Sequence, residues 1–139
     1  MPILASHFTE VRPAMDASIY YQDVLLERVR VLMDTGAVET ILSHAFCLKH
    51  KLIPIPGAEK ETKTPVGMLK VEVYENIRIV LHSEDGVDYS KNFPFIGSPV
   101  GQEYYFPAVI GMDIFVLGKF TLWGDKKRFT LNLPDNFEG

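Results

Sequence analysis

The sequence predicts an all-β fold with one or two short helices, built as one domain over residues 1–139. Valine, isoleucine, tyrosine, phenylalanine and threonine recur in short runs, and these residue types favour strands. Nine prolines and ten glycines interrupt the runs at short intervals, as is typical of all-β proteins. A chain of 139 residues is also long enough for one ordinary hydrophobic core.

The composition excludes several functional classes. A hydrophobic content of 47% and a charged content of 23% are typical of soluble globular proteins. The net charge of -4 argues against a nucleic-acid partner, because phosphate binding needs a basic surface. No signal peptide is evident, and no window approaches the ~20 apolar residues of a membrane span. With a single cysteine, Cys47, no internal disulfide can form, which is compatible with a reducing compartment. With no signal peptide or membrane span evident, we expect no membrane partner and favour a cytoplasmic location.

The first half of the chain predicts strands over residues 3–11, 18–21, 24–33 and 40–42. In the third of these, charged residues alternate with apolar ones, which indicates a half-buried strand. A short helix is expected from the N-cap Ser43 to residue 52, because Pro54 and Pro56 end the pattern.

The second half predicts strands over residues 69–74 and 77–81, joined by a hairpin turn at Glu75 and Asn76. Residues 83–103 are rich in glycine and proline, so we expect a long loop with one short strand near residues 93–96. A buried strand at 109–111, a helix over 112–117 and a final hairpin follow. That hairpin pairs residues 120–123 with 128–133.

The most informative stretch is residues 31–42, in which an apolar strand runs directly into Asp34. A lone carboxylate at the end of a core strand is costly to bury, so its position calls for a chemical reason. Gly36 permits a sharp turn and the close approach of another chain or a substrate, and the Thr35 hydroxyl can hold the loop by a hydrogen bond. The pattern indicates a carboxylate held on a rigid loop at the edge of a barrel.

Asp34-Thr35-Gly36-Ala37 resembles the catalytic motif of aspartic proteases, and the short chain is similar to the retropepsin-like branch of that family. A second match, the apolar segment 108–110 followed by Gly111 and a short helix, occurs in the order the family has. The Met112-Asp113 pair is more similar to cellular and bacterial members than to retroviral ones. The resemblance implies a closed, barrel-like single-lobe acid protease fold. It also implies that the protein hydrolyses peptide bonds.

The resemblance also implies a homodimer. Peptide hydrolysis by this family needs two carboxylates that share one proton. The sequence holds one Asp-Thr-Gly and no Asp-Ser-Gly, so the second Asp34 has to come from another copy on a twofold axis. We therefore expect a homodimeric aspartic endopeptidase with peptide or protein substrates, with Asp34 catalytic and Thr35 bonded across the dimer.

Further site residues are implied by the same resemblance. Gly36 and Ala37 support the active-site loop, and substrate-binding positions are expected on three segments: Val38 and Glu39 after the motif, Val66, Gly67 and Met68 in a flap over residues 63–70, and Val109 and Ile110 in the late segment. Val38 and Met112 stand where retroviral members usually carry an acidic residue and an arginine. Because both positions are apolar here, no buried charge is stranded, and Glu39 is the nearest carboxylate that could replace the lost contact.

Other chemistry is poorly supported by the sequence. His7, His44, His50 and His82 are scattered without the spacing of a metal site, so no metal or cofactor is expected. Cys47 is most simply a small core residue. Two alternatives remain open: a catalytically silent module of the same fold that binds peptides or dimerises a larger protein, and a chance Asp-Thr-Gly in a barrel that binds a small ligand.

Overall fold

A computed structural model describes residues 3–64, 67–102 and 104–134, with the side chains of 62–64 excepted. Strands dominate this part of the chain: β1 (Ile3–His7), β2 (Ala14–Tyr21), β3 (Val24–Met33), β4 (Ile41–Leu42), β5 (Lys60–Thr64), β6 (Gly67–His82), β7 (Asp88–Pro99), β8 (Ala108–Ile110), β9 (Lys119–Trp123) and β10 (Arg128–Asn132). Two short helices, α1 (His44–Lys49) and α2 (Met112–Phe115), and a 3₁₀ turn at Gly124–Lys126 complete it.

Six strands form a closed barrel. The strand order is β2-β3-β8-β4-β7-β6, and β6 pairs back onto β2, which closes the ring. β5 extends this sheet as a hairpin with β6, and a separate three-stranded sheet has the order β1-β10-β9. The prediction of an all-β, closed, barrel-like fold with short helices is confirmed.

The β2–β3 hairpin determines which end of the barrel carries Asp34. Its turn residues, Gln22 and Asp23, both have positive φ (50° and 64°), the backbone that a two-residue hairpin turn requires. From that turn β3 runs ten residues and delivers Asp34 to the opposite end of the barrel. At about 3.3 Å per residue, the two ends of the strand are roughly 30 Å apart.

One hydrophobic core joins both sheets. Leu4 and Phe129 from the three-stranded sheet are fully buried in the same cluster as Ile19, Val31 and Ile79 from the barrel. Because the side sheet and the barrel share this core, β9 and β10 are fixed relative to the end of β3 where Asp34 lies. Burial of apolar side chains stabilises the core without fixing the orientation of its strands, and the strand registers fix that orientation.

Two sequence predictions about strands were wrong. No hairpin turn forms at residues 75–76, because β6 continues through them as a 16-residue strand with an irregularity at Asn76, where φ is 59°. The expected loop over 83–103 instead contains the 12-residue strand β7, which pairs with β6 from Val71↔Pro99 to His82↔Asp88. Pro94 is tolerated because the ladder between β6 and β7 has no pair at that position.

The helices follow the prediction more closely. Ser43 caps α1, and its Oγ accepts a hydrogen bond of 3.1 Å from the Phe46 backbone N–H. The helix ends at Lys49, earlier than expected, and α2 ends at Phe115 with Gly118 three residues beyond. In the part of the chain that the structure describes, no helix has the length and apolar character needed to cross a membrane.

Candidate active site

Asp34 is held at the end of β3 by main-chain hydrogen bonds. Its N–H donates to the Ile110 carbonyl oxygen at 2.9 Å, and its own carbonyl oxygen accepts from the Ala37 N–H at 3.1 Å. The first of these bonds continues the parallel pairing of β3 with β8, in which Met33 lies opposite Ile110. The backbone at Asp34 is therefore fixed by the barrel itself, as a pre-organised site requires.

The carboxylate of Asp34 is fixed by the turn that follows it. The Gly36 N–H donates to Asp34 Oδ1 at 2.8 Å. A side chain at Gly36 would place its Cβ 3.1 Å from that same oxygen, so glycine suits the tight turn. Within the described ranges 3–64, 67–102 and 104–134 no donor is assigned to Oδ2, which leaves that oxygen for water or a second carboxylate. The side chain is half-buried, so solvent reaches it.

The loop after Asp34 is tied to α2 by a buried polar link. Thr40 is 3% exposed, and its Oγ1 donates to Asp113 Oδ1 at 2.7 Å while accepting from the Gly111 N–H at 3.1 Å. The Thr40 N–H also donates to both Asp113 carboxylate oxygens, at 3.0 and 3.1 Å. The Met112 N–H completes the link by donating to the Ala37 carbonyl oxygen at 2.8 Å.

Removing the Asp113 carboxylate is expected to destabilise this end of the barrel. Asp113→Ala leaves the Thr40 N–H and hydroxyl without their acceptor. A hydrogen bond to a charged group typically contributes about 1.5–3 kcal/mol to stability. We expect a loss of roughly 3 kcal/mol in the free energy of unfolding, measured by urea denaturation. The matched control is Asp125→Ala on the exposed 3₁₀ turn, which should change stability little. Equal effects of the two substitutions would contradict the role of the link.

A groove of about 470 Å³ opens beside Asp34. It lies between the end of β3 and the side sheet, and its lining is mostly apolar: Arg12, Pro13, Leu32, Met33, Asp34, Thr35, Phe120 and Leu122. Thr35 is exposed, and so is Leu122, at 50%. The face that carries the carboxylate therefore also carries exposed apolar surface on the edge strand β9.

The other predicted residues are distributed over three places. Val38 and Glu39 are exposed on the loop after Asp34, where a substrate backbone could reach them. Gly67 and Met68 lie on the separate β5–β6 hairpin, where Gly67 has a φ of 129° and pairs with Thr64. Val66, assigned to the same flap, lies outside the described residues.

Val109 and Ile110 belong to the core of the single chain. They are 3% and 1% exposed, because β8 lies between β3 and β4 in the barrel. Their role as pocket-lining residues stays a prediction. Ile110 contributes in another way, through its carbonyl oxygen, which accepts the hydrogen bond from the Asp34 N–H.

Sequence reasoning missed the roles of Thr40 and Asp113. A threonine six residues after Asp34 and an acidic residue in the first turn of a helix are each common, so neither pattern alone points to a buried link. The two residues meet because β4 pairs with β8 in the barrel. Cys47 agrees with its sequence interpretation, because burial raises the pKa of its thiol to about 11 and keeps it from forming a nucleophilic thiolate.

Comparison with solved structures identifies the fold. The chain is similar to the crystal structure of a retropepsin-like aspartic protease from Rickettsia conorii, with a TM-score of 0.56 and 18% sequence identity. The match covers 95% of this chain and 91% of the other. The architecture is therefore a retropepsin-like fold. No protein-family model matches the sequence, and no curated protein does so significantly.

Proposed function

We propose that the chain is an aspartic endopeptidase of retropepsin type, one domain over residues 1–139 that acts as a homodimer. The observation that carries the proposal is the Asp34 carboxylate. It is half-buried, held by the Gly36 N–H at 2.8 Å, and placed by a barrel whose fold matches an aspartic protease. A scaffold without chemistry has little use for a carboxylate in this position.

The reaction follows from two Asp34 side chains at the twofold axis. Like charges about 3 Å apart cannot both ionise, so the pair holds one proton. The ionised carboxylate takes a proton from water, the water attacks the amide carbonyl, and the protonated carboxyl group donates to the carbonyl oxygen. Because the two Asp34 side chains are equivalent, neither has a fixed role in the free enzyme. The exposed Val38 and Glu39 would then contact an extended peptide beside the dyad.

The groove beside Asp34 supports a particular arrangement of the two copies. β9 is one of the two edge strands of the side sheet, and Leu122 and Trp123 on it are 50% and 38% exposed. A second copy seated over Leu122 would cover apolar surface and bring the exposed Thr35 loops together. Both effects favour association, because burial of apolar area stabilises it and the dyad becomes complete.

Sedimentation over a concentration series tests the homodimer, and a peptide library at acidic and neutral pH tests cleavage. We expect Leu122→Asp to shift the chain toward monomer and to lower cleavage at least tenfold, because a charge replaces apolar contact area. Val24→Asp is the matched control, since Val24 is 63% exposed at the far end of β3. A strict monomer without cleavage at high concentration would contradict the proposal.

The alternative is a silent module of the same fold. Val38 is 80% exposed and stands where retroviral members have an acidic residue, which favours weaker peptide positioning than theirs. Peptide binding without turnover across the same pH range would support this alternative over the protease.

A further inference from the structure

A serine, a histidine and an aspartate form a hydrogen-bonded cluster on the barrel wall, away from Asp34. Ser18 on β2 lies opposite Arg28 on β3, six residues before Asp34, which places it about 20 Å along the strand. Ser18 Oγ is 2.7 Å from His82 Nε2, and His82 Nδ1 is 2.8 Å from Asp88 Oδ1. The three residues come from the adjacent strands β2, β6 and β7.

The hydrogen-bond chain fixes the direction of proton transfer. An ionised carboxylate is an acceptor, so Asp88 requires the proton of a neutral imidazole on Nδ1. Nε2 is then the acceptor for the Ser18 hydroxyl proton. A hydroxyl, a base and a group that orients the base, all within hydrogen-bond distance, form the arrangement that activates a serine nucleophile.

We propose that Ser18 is a nucleophile activated by His82, and that it accepts small acyl groups from activated carboxylic esters. Ser18 Oγ forms a bond to the ester carbonyl carbon, and its proton passes to His82 Nε2. The bond to the leaving alcohol breaks, and that alcohol departs with the proton. A water molecule, deprotonated by His82, then hydrolyses the acyl-serine, releases the carboxylic acid and restores Ser18.

The surroundings decide which esters react. Ser18 is 6% exposed and the His82 side chain 17%, so only small acyl groups reach the hydroxyl. Arg28, directly across the ladder, brings a cation to the same face, although it also contacts Asp16 at 3.4 Å. The backbone N–H groups here belong to strand ladders, and no pair of them faces the ester oxygen as in an efficient oxyanion hole. Both steps lose that stabilisation, but an activated ester has a better leaving group than the acyl-serine, so acylation should be faster than turnover.

The test uses p-nitrophenyl acetate and the whole chain. We expect release of p-nitrophenol with one acetyl group per chain, located on Ser18 by mass spectrometry. His82→Asn should slow this labelling about 100-fold, the usual contribution of a general base. His50→Asn is the matched control, because His50 also pairs with a carboxylate, Glu27, at 2.8 Å and has no serine partner within residues 3–64, 67–102 and 104–134. It should leave the labelling rate unchanged.

Two variants at Asp88 distinguish activation of Ser18 from a purely structural role of the cluster, and a third, at Asp34, tests independence from peptide cleavage. Asp88→Ala should slow labelling and Asp88→Glu should restore part of the rate, since Asp88 is a positioning residue for His82. Asp34→Asn should label as fast as the parent chain, so the result is independent of peptide cleavage. Acetylation on other residues alone, or labelling of Ser18 at an unchanged rate in His82→Asn, would overturn the proposal and leave the three residues as a structural hydrogen-bond chain.

Discussion

Asp34→Asn is expected to abolish peptide cleavage while leaving the fold and the dimer intact. The amide cannot share a proton with its partner or accept one from water, and loss of general acid–base catalysis lowers rates by about 100- to 10,000-fold. The Asn Oδ1 can still accept the hydrogen bond from Gly36 N–H, so the turn keeps its contact. Cleavage rate, melting temperature and sedimentation coefficient together measure the result.

The control for this prediction is Asp23→Asn at the far end of β3. Asp23 is exposed in the β2–β3 turn with a φ of 64°, a conformation that asparagine adopts readily, so this variant should cleave normally. Mixing the Asp34→Asn chain into the parent chain should also lower activity beyond dilution, because mixed dimers hold one carboxylate. Cleavage that survives in pure Asp34→Asn would exclude Asp34 as the catalytic group.

Gly111→Ala is expected to destabilise the protein strongly, because the added methyl group would clash with the loop that follows Asp34. A Cβ there would lie 2.6 Å from the Glu39 carbonyl carbon and oxygen and 2.8 Å from the Ala37 carbonyl oxygen. All three atoms are backbone, so no side chain can rotate away. We expect the free energy of unfolding to fall by about 3 kcal/mol, the upper range for overpacking. Cleavage should also fall, because the loop that moves carries Asp34.

Gly124→Ala is the matched control for that change. Its Cβ would meet nothing within 4 Å, and Gly124 lies in an exposed 3₁₀ turn. Urea denaturation of both variants should therefore show a large loss for Gly111→Ala and a change within about 1 kcal/mol for Gly124→Ala. Similar stability of the two variants would show that the Asp34 loop and Gly111 are packed less closely than the distances indicate.

The all-β class could be predicted from the sequence because strand propensity and the spacing of proline and glycine are local signals. It also drew attention to Asp34 and Gly36, whose residue types are unusual at the end of an apolar strand. It was misleading over residues 83–103, where Pro94 and Gly97 indicated a loop. Tertiary pairing with β6 outweighs those preferences, since a long partner strand supplies hydrogen bonds on one side and the core supplies burial.

The sequence patterns did not predict the contacts between segments that are distant along the chain. The link from Thr40 to Asp113 depends on β4 and β8 lying side by side, and the groove depends on β9 standing beside the end of β3. The Ser18–His82 contact likewise depends on the pairing of β2 with β6. Neither spacing nor periodicity encodes such pairings, because register across a sheet is fixed only when the whole core assembles.

The closure of the barrel has a consequence for how fast the protein folds. Each pair between β2 and β6, from Asp16↔His82 to Tyr21↔Ile77, joins residues about 60 positions apart, and β1 pairs with β10 across nearly the whole chain. Such contacts cost loop entropy before they return any stability, so folding rates fall as their share grows. On a ribosome, residues 83–84 could bond to β1 early, but β1 would have no partner strand among the described residues until β10 had emerged.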